Sequence, residues 1–162
     1  MRIKIWKKKE LELYIHIPFC VRKCNYCDFL SFPADEDTQR QYVKALCKEI
    51  FYYGAHCRIM WFQQSILVAA RHRGCGSRIW QRSWMPCIKN FALLPDAEVS
   101  VECNPGTVTA QKFAVYRQSG INRISLGLQS AQNVELKMLG RIHTWEQFLK
   151  TYELARAGGF SN

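Results

Sequence analysis

The sequence predicts a parallel α/β architecture, open or barrel-like. Strand-like and helix-like segments alternate along the chain, the pattern of βαβ units. The 162 residues with 48% hydrophobic content suffice for one sizeable core, and no internal repeat or low-complexity tract divides them.

The elements follow in order. "LELYIHIPF" (11–19) reads as a buried strand, β-branched and aromatic, with Pro18 ending it. "ADEDTQRQYVKALCKEIFYYG" (34–54) reads as a helix: acids precede it, Gly54 is its stop, and Tyr42, Val43, Leu46, Ile50 and Phe51 recur at helical spacing. "AEVSVECN" (97–104) alternates polar and apolar residues until the Asn104–Pro105 turn, as a strand does. "TAQKFAVYRQSG" (109–120) is a second helix, with Thr109 as N-cap and Gly120 as stop. "RISLGLQS" (123–130) is another strand, and "TWEQFLKTYELARAGG" (144–159) a last helix. In that helix Thr144 and Gln147 form a capping box, and Gly158 closes the element.

Composition narrows the function classes. The basic start "MRIKIWKKK" runs into Glu10 and Glu12 rather than an apolar stretch, and the longest apolar run, "ILVAA", is too short for a transmembrane segment. A cytoplasmic protein is expected, and its eight cysteines then read as reduced thiols or metal ligands. The net charge of +10 is uneven: from Ala55 to Cys87 there are five arginines and no acid, so half the excess sits in one window. If that window is a frame-shifted segment, its arginines were never selected to touch phosphate, and nucleic acid is not an expected partner.

"CVRKCNYC" (20–27) carries the chemistry. Three thiolates on a short loop can hold three irons of a cubane 4Fe-4S cluster and leave the fourth open to a substrate-like ligand. Structural zinc would want a fourth ligand, and no second C-x-x-C pair follows. His16 and His143 are available to complete such a site, or are packed core histidines. Cys47, Cys57, Cys75, Cys87 and Cys103 read as structural or accidental.

"LYIHIPFCVRKCNYCDF", followed in order by "VECNPGTVT", "GINRISLGLQS" and "LGRIHT", resembles the radical S-adenosyl-L-methionine (SAM) family, in the oxygen-independent coproporphyrinogen III oxidase group with its C-x-x-x-C-x-x-C hallmark. The oxidases of that group carry a further cysteine where this chain has Phe29, so the match is closer to the heme-chaperone branch. The resemblance implies a partial (β/α) radical SAM barrel, truncated to about four strand slots, with residues 1–162 as its N-terminal part. It implies Cys20, Cys24 and Cys27 as cluster ligands, and Tyr14 and Tyr26 as aromatic walls of the SAM pocket. Glu102 would meet the methionine part of SAM, and Gln129 and Arg141 its ribose and carboxylate. Taken singly, Glu102 also reads as a polar strand end and Arg141 as a partner of the last turn of its helix. The implied cofactors are the 4Fe-4S cluster and SAM, with heme in the chaperone branch. The implied partners are heme or a porphyrin and an electron donor such as flavodoxin or ferredoxin.

One element of the family is missing. Its second strand ends in "GGGTP", where backbone approaches SAM with no side chain in the way. Here "QQSILVAARHR" fills the place, inside the acid-free window, where three of the five tryptophans also fall. With suitable wobble bases, codons for Gln64–Arg73 read one base earlier give Thr-Val-Tyr-Phe-Gly-Gly-Gly-Thr-Pro-Ser. Residues 55–86 are thus expected to be a frame-shifted segment that disrupts the second strand, leaves its neighbours with open edges and weakens SAM binding. The chain ends where a further strand is expected. The chain as it stands is therefore expected to lack activity, and a non-catalytic metal-binding module and a non-functional fragment are the alternatives.

Overall fold

The computed structural model describes residues 10–56, 61–69 and 91–162. In chain order they form β1 (Glu10–Ile15), α1 (Glu36–His56), β2 (Trp61–Ala69), β3 (Ala92–Leu93), β4 (Val99–Cys103), α2 (Ala110–Gln118), β5 (Arg123–Leu126), α3 (Asn133–Met138) and α4 (Trp145–Ala157). The strands make one parallel sheet in the order β1-β2-β4-β5, with the two-residue β3 paired to β2. Parallel neighbours require crossover connections, and among the described residues α1 supplies the one from β1 to β2 and α2 the one from β4 to β5.

Position in the sheet decides each strand's exposure. β1 is an end strand, and along it Leu13 and Ile15 turn inward while Glu12 and Tyr14 stay exposed. It is therefore one-sided rather than fully buried, and it stops at Ile15, three residues before Pro18. β4 is central, and there the polar–apolar alternation does not become an in–out alternation. Ser100 is as buried as Val99 and Val101, because strands flank β4 on both sides and its hydroxyl donates to Glu98 Oε1 at 3.0 Å.

The second strand slot is filled. The backbone of β2 pairs with β1 and with β4, from Ile66↔Val99 to Ala69↔Glu102, so the expected open edges on β1 and β4 do not occur. Irregularity remains in the β1–β2 register, which shifts between Leu11 and Glu12 and again between Glu12 and Tyr14. Most of the window 55–86, including Ala70–Arg73 and Cys57 and Cys75, lies outside the described residues, as does Cys87.

The helices follow their caps. In α1 the Asp35 side chain accepts from Thr38 N at 2.7 Å, which holds its carboxyl below the usual carboxylate range. Gly54 does not stop this helix: it lies on the buried stripe with Gln39, Val43 and Ile50, and the helix runs on to His56. Phe51, one residue off that stripe, is 62% exposed rather than core-facing, since each helical residue turns the face by about 100°. Thr109 caps α2 by accepting from Lys112 N, and the chain leaves that helix through Gly120 at φ +84°. Thr144 and Gln147 form the expected capping box on α4, which ends at Ala157 with Gly158 as its C-cap. The six-residue α3 carries no signal of this kind: Gln132 makes no side-chain cap bond.

The core joins these layers. Phe19, Val101, Phe113, Ile121 and Leu136 are almost wholly buried, and Phe19 meets Phe32 and Tyr42 edge-on. Tyr42 also donates its hydroxyl to His16 O at 2.6 Å, tying α1 to the segment that leads into the cysteine loop. Burying a phenylalanine is worth about 1.5–3 kcal/mol, so these contacts set the frame on which the loops stand.

Candidate cofactor site

The carboxyl ends of β4 and β5 and the loop after β1 meet around a cavity of about 510 Å³. Parallel sheets place ligands there because the strand ends present side chains and unpaired backbone groups to one crevice. Cys20, Cys24 and Cys27 border it from the loop, and Glu102, Gln129 and Arg141 from the strand ends and the segment after α3. Tyr26 lies beside them. Tyr14 does not border the cavity; it is exposed on β1, with its hydroxyl 3.3 Å from His16 Nδ1.

Arg141 is the hub. Its Nη2 donates to Gly127 O at 2.7 Å and to Asn104 Oδ1 at 3.1 Å, while Nη1 reaches the Tyr26 hydroxyl at 3.3 Å and Cys24 Sγ at 3.7 Å. The guanidinium is thus spent across the cavity rather than on the helix before it, and its buried Nε has no partner. Burial raises the Tyr26 phenol above its ordinary value, against the opposing pull of Arg141. Gln129 has φ +72°, so the backbone turns sharply as it leaves β5. Gly127 is closely surrounded: an added Cβ would stand 3.3 Å from Gln129 Nε2 and 3.4 Å from Arg141 Nη2.

The loop thiols are free and half-buried, and Cys20 Sγ donates to Arg22 O at 3.1 Å. Among the described residues no three Cys, His, Asp or Glu side chains stand together as a single metal ion would require. A cubane cluster takes one thiolate per iron, so three thiols spread along one cavity fit a cluster better than zinc. The histidines are engaged elsewhere. His16 Nε2 pairs with Leu30 O at 2.9 Å and His143 Nε2 with Leu128 O at 3.2 Å, and burial lowers the His143 pKa.

Sequence reasoning missed Cys103, Asn104 and Gly127, all of which border the cavity. Cys103 is fully buried at the end of β4, where desolvation pushes its thiol up to about 12. The available signal was position: Glu102 through Asn104 ends a strand, and Gly127 interrupts "RISLGLQS".

The Radical SAM superfamily model matches residues 14–162. The chain belongs to the radical SAM superfamily. Among curated radical SAM relatives it is 34% identical to the heme chaperone HemW of Escherichia coli K12, over 94% of this chain and 41% of that protein. It is 31% identical to the oxygen-independent coproporphyrinogen-III oxidase-like protein HemZ of Bacillus subtilis 168, over 96% of this chain and 32% of that protein. The solved radical SAM enzyme coproporphyrinogen III oxidase (HemN) of Escherichia coli superposes with a TM-score of 0.82 at 25% identity, over 95% of this chain and 36% of that one. The fold is accordingly a partial radical SAM barrel, and the chain spans about two fifths of the HemW relative.

Proposed function

We propose that this radical SAM chain holds a 4Fe-4S cluster on Cys20, Cys24 and Cys27, takes SAM into the 510 Å³ cavity, and serves heme or porphyrin metabolism in the cytoplasm. The observation that carries this reading is the convergence of the three loop thiols with Glu102, Gln129 and Arg141 on one cavity, from segments more than 70 residues apart. A 4Fe-4S cluster and SAM held there would supply one-electron reductive chemistry for hydrogen abstraction, with the electron coming from a flavodoxin- or ferredoxin-like donor.

The chain's own residues bind and orient. Glu102, at a strand end, offers its carboxylate to the ammonium of the methionine part, and Arg141, on exchanging its long Nη1 contacts with Tyr26 and Cys24, offers a charge-assisted donor to its carboxylate. Gln129, turned by its positive φ, presents an amide to the ribose, and Tyr26 supplies an aromatic wall. Tyr14 would join the pocket only with a change of side-chain position. Phe29, which borders the cavity at the place of the oxidases' further cysteine, favours heme handling over porphyrin oxidation. No helix among the described residues is long and apolar enough to cross a membrane.

SAM is bound weakly in this reading, because the sequence has Val68, Ala69 and Ala70 where the family has glycines, and Ala69 is the register partner of Glu102. Anaerobic reconstitution with iron and sulfide, followed by dithionite and an assay for SAM cleavage, tests it. A brown protein with about four irons and little cleavage is expected. Val68→Gly, Ala69→Gly and Ala70→Gly together should raise cleavage. A folded protein that takes up no iron overturns the assignment.

A further inference from the structure

The cysteine loop is fastened at a point the thiols do not explain. Asn25, between Cys24 and Tyr26, donates its backbone N–H to Leu139 O at 3.1 Å and its Nδ2 to Met138 O at 2.8 Å. Both acceptors are carbonyls at the end of α3, a helix end whose last C=O groups have no partner within the helix. The next residue along, Gly140, has φ +73°, and an added Cβ would stand 2.9 Å from Asn25 Oδ1 and 3.3 Å from Asn25 N. One step further, Arg141 reaches back to Cys24 and Tyr26, the two residues that flank Asn25. Two short segments, 113 to 117 positions apart, thus clasp each other from both sides.

We propose that Asn25 is a positioning residue: its clasp on 138–140 sets the distance between the thiol loop and Arg141, and so the fit of SAM's carboxylate beside the cluster. Gly140 is required because only a residue without a Cβ admits the Asn25 amide at that left-handed turn. The proposal rests on the cluster-and-SAM reading for its effect on binding, but the clasp itself exists without either group.

The test has two parts. In cluster-free protein, the Asn25 amide should be protected in hydrogen exchange relative to the amides of Lys23 and Leu30. In reconstituted protein, SAM is titrated against the electron paramagnetic resonance spectrum of the reduced cluster. Asn25→Ala should raise the half-saturating SAM concentration about 10-fold, with iron content and Tm unchanged, as loss of an outer-shell partner does. Gly140→Ala, in which the Cβ displaces the Asn25 side chain, should shift the titration similarly, and the double variant should add little. An unprotected Asn25 amide overturns the clasp. An unshifted titration in Asn25→Ala, or a Tm that falls in step with affinity, overturns its positioning role. Should the protein take no iron, the cluster reading fails and the exchange measurement alone decides whether the clasp stands.

Discussion

The cavity is bordered by two regions that are held in different ways. From Val99 to Phe160 the chain is anchored by buried side chains, with Val101, Phe113 and Ile121 at or near zero exposure. From Cys20 to Phe32 it is anchored by few, and Phe29, Leu30 and Phe32 are exposed, Leu30 by 84%. Its hold is backbone hydrogen bonding at the neck, Cys20 N to Phe32 O and Phe32 N to Pro18 O, and the Asn25 and Arg141 contacts at the tip. The lesson is a division of labour. The strand-end residues Glu102 and Gln129 inherit their places from the core, whereas the thiols depend on a few polar bonds and can adjust to what they bind.

The widest expected separation between the two regions is chemical. The Cys103 thiol, buried and pushed up to about 12, is ionised in roughly one molecule per 10,000 at pH 8, and the thiolate is the reactive form. Iodoacetamide on the native protein, read by mass spectrometry, should therefore label Cys20, Cys24 and Cys27 and spare Cys103. Labelling of Cys103 at the loop rate would show that the two regions open alike.

Next in size is Phe113→Ala, expected to cost about 3–5 kcal/mol in denaturant unfolding through the cavity it leaves. A loss below about 1 kcal/mol would mean the strand-end region is no better anchored than the loop. His143 sharpens the contrast with pH. Burial favours its neutral ring, so its folded pKa lies below the unfolded value near 6.5. The unfolded chain then takes up a proton first as pH falls, and stability drops below about 6.5 while remaining unaffected above it. Thermal melts from pH 7.5 to 5 should show this fall, and His143→Phe should flatten it. Smaller still is Thr144→Ala, which removes the capping box and should cost about 1 kcal/mol. Leu30→Ala in the loop should change stability by less than about 0.5 kcal/mol, measured in the same denaturant series.

Much of the fold is legible in the sequence. Thr109, Thr144 and Gly120 mark helix ends because capping is a local transaction between a side chain and the nearest turn. The site residues are legible only through their resemblance to a family, since Arg141 meets Cys24 across 117 positions and no local rule spans that distance. Sequence expectation and fold part where neighbours override local pattern. Gly54 is absorbed into α1, Phe51 turns to solvent, and Ser100 is buried by its place between two strands. The uncapped α3 has no sequence signal for the complementary reason: Leu136 packs into the interior and holds it.

By itself the sequence determined the alternation of elements, their caps and the order of the three thiols, because these depend on residues within a turn or two of each other. Only the tertiary structure decided that β2 takes the slot between β1 and β4, that Arg141 bridges strand ends and loop, and that Asn25 rests on Gly140. Those are long-range choices. They are set by which buried surfaces and unpaired backbone groups find partners when the whole chain packs, and nothing within reach of a single segment specifies them.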